Sequence, residues 1–160
     1  DFEWQDQELK VQKSKLYAFD MDIEENIDLF PVLSVLALSF EEKYVFHNIN
    51  RLRLKESDRV EAVLNLHRRL GAKSYVDGDK FIVLPGDLKS CTIDSHKDHR
   101  LVMAGLVAAG LTDKNDNEIQ VTIEDFQAIN KSYPDFEEDM KKIGVEISEI
   151  QDRIGVEDEI

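Results

Sequence analysis

The sequence predicts an α+β fold in which helices are buried and sheets lie outside them, and three observations carry that reading. Candidate strands such as "LYAFDMDI" (16–23) and "EIQVTIED" (118–125) alternate apolar and polar residues, the mark of sheets with one wet and one packed face. Two candidate helices, residues 28–40 and 98–110, are apolar almost all round, as helices enclosed on every side must be. The order of elements also returns. Residues 17–84 read as strand, helix, strand, helix, strand, strand, and residues from about 91 to 147 repeat most of that order, giving two βαβαββ-like units. Helices inside and sheets outside is the reverse of a doubly wound fold.

Each element has its own local reason. Residues 1–15 carry little signal. In the first strand Tyr17, Phe19, Met21 and Ile23 share one face while Ala18, Asp20 and Asp22 share the other. Asp28 opens the first buried helix. Residues 57–70 are amphipathic, with Val60, Val63, Leu64 and Leu70 on one side, Arg68 and Arg69 in the last turn, and Gly71 as the C-terminal cap. "AKSYVDGDKFIVL" (72–84) reads as a hairpin whose Asp77-Gly78 pair supplies the positive φ angles of a tight primed turn. Asp98 is an N-cap for the second buried helix. Ile119, Val121 and Ile123 oppose Gln120 and Thr122 in the later strand. A last helix over 134–143 begins at Pro134 and stops before Gly144.

Bulk properties narrow the function classes. With 42% hydrophobic and 34% charged residues the chain is globular in composition rather than low-complexity. A net charge of −14 argues against a general nucleic-acid binder and against adhesion to anionic membrane surfaces. An anion ligand would therefore need a local cluster of cations within an acidic field. The apolar runs 30–40 and 101–111 are too short to span a bilayer. The one cysteine, Cys91, cannot form an internal disulfide, which suits a reducing cytoplasm. The first ten residues have no basic n-region or apolar h-region, so they do not read as a signal peptide; without a starting Met, the chain reads as processed or excised.

Candidate chemistry concentrates where helices start. In "RLRLKESDR" (51–59), Lys55 precedes a helix while Glu56 and Arg59 fall at its first turn. Arg59 could grip a phosphate or carboxylate with two parallel hydrogen bonds, Lys55 could act as a point charge, and Glu56 between them is placed for proton transfer. The plain alternative is that Asp58 caps the helix, Glu61 completes a capping box and the remaining charges are solvated. "KDHR" (97–100) puts His99 and Arg100 in the first turn of a helix, where basic groups oppose the macrodipole; a bound anion or a neighbouring carboxylate would account for them. Lys131 in "NKSYPDF" (130–136) holds the place in its repeat that Lys55 holds in the first, and is surface unless these helix mouths share a cleft. His96 and His99 lack a second ligand pair, so no zinc site is expected. The calcium-loop offsets of residues 113–124 fail at Glu118, which stands where glycine is required. No Gly-rich phosphate loop, nucleophile elbow or paired Cys motif occurs.

"LRLKESDR" (52–59), "KDHRLVMA" (97–104), "NKSYPDF" (130–136) and "DLFPVLSVLA" (28–37) together resemble the C-terminal part of the 5-enolpyruvylshikimate-3-phosphate synthase family, in the family's order and over nearly the whole chain. The resemblance implies an enolpyruvyl-transferase-like inside-out α/β barrel made of three βαβαββ units per domain. Of one such domain this chain would hold roughly two units, about 17–84 and about 91–147, with the N-terminal domain absent. It implies transfer of the enolpyruvyl group of phosphoenolpyruvate to the 5-hydroxyl of shikimate 3-phosphate, through a tetrahedral intermediate and with release of phosphate, using no metal or organic cofactor. Carried over by position, Asp28 corresponds to the carboxylate that binds the shikimate hydroxyl and accepts its proton, and Glu56 to the acid that protonates the methylene carbon. Lys55 and Arg51 correspond to shikimate 3-phosphate ligands; Arg59, Arg100 and Lys131 correspond to phosphoenolpyruvate ligands, with His99 beside them. Two departures stand out: Ile27 replaces the usual Pro, and Arg51 replaces the Asn of some relatives. The implied partners are these two anions and the rest of the same enzyme, with no nucleic acid and no membrane. A chain holding an incomplete domain is expected to be inactive alone and to self-associate. Competing readings are a UDP-N-acetylglucosamine enolpyruvyl transferase, against which "LRLKESDR" argues, and a non-catalytic anion-binding or oligomerisation module.

Overall fold

The structure, a computed structural model, describes residues 2–12, 20–55 and 57–150. Eight strands and four α-helices occur among them: β1 (Phe2–Gln5), β2 (Glu8–Val11), β3 (Met21–Asp22), α1 (Phe30–Leu36), β4 (Tyr44–His47), α2 (Arg59–Arg69), β5 (Lys73–Asp77), β6 (Lys80–Leu84), β7 (Cys91–Asp94), α3 (His99–Ala109), β8 (Val121–Glu124) and α4 (Phe136–Lys142). Short 3₁₀ turns at Ala37–Ser39, Ile49–Leu54 and Phe126–Lys131 link them.

The strands form three sheets. β1 and β2 make an antiparallel hairpin; β3, β4, β6 and β5 make a mixed sheet in that order; β7 and β8 pair in parallel. Within the mixed sheet β3 runs parallel to β4 with Met21 opposite Phe46, and β6 is antiparallel to both β4 and β5. Thus β3–α1–β4 and β7–α3–β8 are both helix-linked parallel pairs, as parallel connection requires. The helices α1 and α3 pack on each other, and α2 contacts both.

The main core is built on that helix layer. Phe30 of α1 meets Phe46 of β4 and Phe81 of β6 edge to face, at centroid separations of 5.4 and 5.1 Å, a geometry that aligns ring edge with ring face. Val60, Val63 and Leu66 of α2 and Leu101, Ala104 and Ala108 of α3 join the same cluster. Gly105 lets the β7–β8 sheet close on α3: a Cβ there would lie 2.5 Å from Ile93 Cδ1 and 2.9 Å from Ile123 Cδ1. A smaller cluster of Val102, Ala128, Ile129 and Phe136 seats α4 on the other side of α3.

Several expectations change in detail. The first buried helix is shorter than residues 28–40: α-geometry ends at Leu36 and a 3₁₀ turn continues to Ser39. The β5–β6 register places Asp77 opposite Lys80, so the turn residues are Gly78 and Asp79, and of these only Gly78 has positive φ, +62°. A glycine-first turn therefore replaces the expected Asp-Gly pairing. Gly71 does follow α2 at φ +85°, with Asp87 O only 2.7 Å from where a Cβ would sit. The strand expected to close the second unit near 147 is not formed; residues 145–150 have no regular structure. Of the first alternating strand, Tyr17 and Phe19 lie outside the described residues, while Ile23 is fully buried. The β1–β2 hairpin had drawn no expectation. Its Phe2, Trp4, Leu9 and Val11 fall on one face by register and are all exposed.

Candidate functional site

Three segments far apart in sequence bring their charged groups together: the turn before α1, the link into α2 and the start of α3. Asp28 lies in the turn formed by Asn26 N donating to Ile23 O and Leu29 N to Asn26 O. It is not the cap of α1. The cap position falls on Leu29, no side chain caps it, and Pro31 occupies the first turn, where a missing N–H costs nothing. Its carboxylate is thereby left to other partners.

Those partners are cations. Arg59 Nη1 donates to Asp28 Oδ1 at 2.6 Å, Lys55 Nζ lies 3.2 Å from the same oxygen, and Arg100 Nη2 lies 3.8 Å from Oδ2. The Asp28 carboxyl is held below its ordinary range, first by the Arg59 hydrogen bond and then by Lys55, with partial burial opposing them. Half of the Asp28 side chain remains exposed, so this carboxylate is reachable from solvent.

Arg59 itself is 1% exposed, unusual for a guanidinium, and its fork is aimed by Asp98. Nε donates to Asp98 Oδ2 at 2.9 Å and Nη2 to Oδ1 at 3.3 Å, a bidentate grip that fixes the plane of the guanidinium. Asp98 is fully buried and has further partners: Ser57 Oγ donates to Oδ2 at 3.1 Å and the Arg100 amide to Oδ1 at 2.9 Å, the latter capping α3. Burial pushes the Asp98 carboxyl up, but the Arg59 bond, the Arg100 amide and Ser57 outweigh it, and the net direction is down. Ser57 and the Arg59-holding role of Asp98 had no signature in sequence. A buried arginine requires a carboxylate, yet nothing local says which of 34 acidic residues supplies it.

The remaining expected residues divide. Asp58 does cap α2, accepting from Val60 N and Glu61 N, but Glu61 accepts from Arg53 instead of closing a capping box. Arg51 is exposed and donates to Glu24 O at 3.3 Å, apart from the Asp28 cluster. Lys131 donates to Lys97 O at 2.7 Å and lines a shallow depression with Lys97, Asp125, Gln127 and Ala128. That bond holds the loop before α3, where His96 and Lys97 both adopt left-handed backbone, φ +50° and +55°. His99 Nδ1 and Arg100 Nε are buried and have no hydrogen-bond partner among the described residues. Glu56 lies outside the described residues.

A buried guanidinium aimed by one carboxylate, with two further cations facing another, gathers three positive groups at one place in an α/β domain. Comparison with known proteins makes the class specific. The family model for EPSP synthase (3-phosphoshikimate 1-carboxyvinyltransferase) matches residues 1–140, and the chain belongs to that family. A 3-phosphoshikimate 1-carboxyvinyltransferase of Brachyspira hyodysenteriae is 34% identical over 144 residues, covering 89% of this chain and 33% of that protein. One from Methanocella arvoryzae is 34% identical over 137 residues, covering 86% and 31%. The solved structure of an EPSP synthase from Acinetobacter baumannii superposes with a TM-score of 0.64 at 25% identity, over 75% of this chain and 28% of that one. The chain thus shares the α/β fold of these synthases and spans about a third of the length of the curated relatives it matches.

Proposed function

We propose that this chain is part of the C-terminal domain of an enzyme that transfers the enolpyruvyl group of phosphoenolpyruvate to the 5-hydroxyl of shikimate 3-phosphate, releasing phosphate. In this reading two related units, about 17–84 with the order βαβαββ and about 91–147 with part of that order, supply one wall of the active cleft, and the rest of the same enzyme supplies the other. The observation that carries the proposal is the convergence of Lys55, Arg59 and Arg100 on Asp28. Addition of the hydroxyl across the carbon–carbon double bond of phosphoenolpyruvate removes a proton from oxygen and puts one on the methylene carbon; the tetrahedral adduct then expels phosphate and gives up a methyl proton, which restores the double bond in the product enol ether. Asp28 is assigned the oxygen proton and Glu56 the carbon proton, while the cations neutralise phosphate and carboxylate groups. Lys55 and Arg51 are assigned to shikimate 3-phosphate, and Arg59, Arg100, Lys131 and His99 to phosphoenolpyruvate.

Turnover by the full-length parent tests this directly. Shikimate 3-phosphate should be consumed and UDP-N-acetylglucosamine should not. Glu56→Gln and Asp28→Asn should each lower kcat by roughly 10²- to 10⁴-fold with the fold intact. Full activity in both variants would favour a non-catalytic anion-binding module. The 160-residue chain alone should show no turnover. The exposed face of Phe2, Trp4, Leu9 and Val11 supports its self-association, for which light scattering should give a mass above the monomer. No helix among the described residues is long and apolar enough to cross a membrane, and a cytoplasmic location is part of the proposal.

A further inference from the structure

Asp28 and Asp98 both meet the cation cluster, but in different ways. Both oxygens of the fully buried Asp98 are committed: Oδ2 accepts from Ser57 and Arg59 Nε, and Oδ1 from Arg59 Nη2 and the Arg100 amide. Replacing it would uncap α3 and strand Arg59. Asp28 caps nothing, sits in a turn, is half exposed, and faces Arg59 Nη1, Lys55 Nζ and Arg100 Nη2. Three like charges this close repel one another unless an anion lies among them. Among the described residues, the carboxylate that Lys55, Arg59 and Arg100 share is Asp28.

We propose that Asp28 is an internal stand-in for the substrate anion, which exchanges with it for Lys55, Arg59 and Arg100 and so sets Asp28 free to act as a base only when the site is filled. The inference rests on the functional reading above and deepens it. Its physics is a competition. A phosphate or carboxylate offers the same cations more acceptor oxygens than Asp28 can, and Arg100 has a buried Nε with no other acceptor among the described residues. After exchange Asp28 loses the donors that hold its carboxyl down and gains a neighbouring negative charge. Both changes raise its affinity for a proton. Base strength is thereby coupled to occupancy, and the hydroxyl proton is taken only when the second anion is in place.

Inorganic phosphate titrated calorimetrically into the 160-residue chain tests the proposal without any turnover. Removing the competitor in Asp28→Asn should tighten phosphate binding on the order of tenfold. Asp87→Asn removes the same formal charge from a surface pair with Lys114, Nζ to Oδ2 2.7 Å, and should change the affinity less than twofold. In the unsubstituted chain, carbon NMR of the Asp28 carboxyl should show its titration midpoint move up when phosphate is added. Unchanged or weaker binding in Asp28→Asn, an unmoved midpoint, or no phosphate binding by either chain would overturn the proposal. None of these results bears on substrate turnover by the full-length parent, whose failure would instead overturn the functional reading while leaving the exchange intact.

Discussion

Two aspartates precede the two packed helices α1 and α3, and sequence places them in equivalent positions. Asp98 is buried, caps its helix and anchors Arg59; Asp28 is half exposed, caps nothing and faces three cations. The difference shows how one residue type can be spent on architecture in one place and kept for chemistry in another. A carboxylate that satisfies backbone N–H groups in the interior cannot exchange partners without unfolding its surroundings. One left outside the cap can.

The contrast breaks most visibly at Asp98. Asp98→Ala removes the bidentate, fully buried counter-charge of Arg59 and the cap of α3, and should cost about 3–5 kcal/mol in urea unfolding. A loss below 1 kcal/mol would mean that the pair is not held as described.

Acid separates the carboxylates from a third buried group. His67 of α2 is fully buried, packs edge-on against Phe81 and has no hydrogen-bond partner for either ring nitrogen among the described residues; burial lowers its pKa to about 3. The native imidazole stays neutral while the unfolded one takes a proton below about pH 6.5, so the unfolded state binds more protons. Stability is complete above pH 6.5 and should fall by about 1.4 kcal/mol per pH unit on acidification, continuing towards pH 3. Asp28 and Asp98, with carboxyls held low, contribute stability above their ordinary value of 3.8 that is lost only on further acidification. Loss between pH 6.5 and 4.5 therefore belongs to His67, and His67→Leu should flatten it. A slope that persists in that variant would assign it elsewhere.

Smaller effects test the scaffold and the exposed carboxylate. Gly105→Ala pushes a methyl against Ile93 and Ile123, whose Cδ1 atoms can yield, and should cost about 1–2 kcal/mol by thermal or urea melting. Asp28→Ala should cost roughly 0.5 kcal/mol or less, because solvent screens a half-exposed pair. Equal destabilisation by Asp28→Ala and Asp98→Ala would erase the contrast.

Local physics made much of this chain legible before any coordinates. Asp58 as the cap of α2, Gly71 after it, the β5–β6 hairpin and the enclosed helices follow from capping chemistry, positive φ and periodicity, which act within a few residues. "LRLKESDR" and "KDHR" likewise announced a cation cluster. The β1–β2 hairpin went unread although Phe2, Trp4, Leu9 and Val11 alternate, because its turn at Asp6 uses a left-handed aspartate and no glycine. The glycine-first turn at Gly78 was set by the register of β5 against β6, which sequence alone does not specify. The pairing of charges depended wholly on tertiary structure. Asp28, Arg59 and Asp98 are separated by 31 and 39 residues, and a carboxylate's identity as cap, anchor or exchangeable partner depends on burial and on which cation is brought to it. Sequence by itself determined which segments become helices, the caps of α2 and α3 and the kinds of charge beside them; packing decided where α1 starts and which carboxylate each cation would meet, because Coulomb and hydrogen-bond energies depend on distance and solvent exposure rather than on order along the chain.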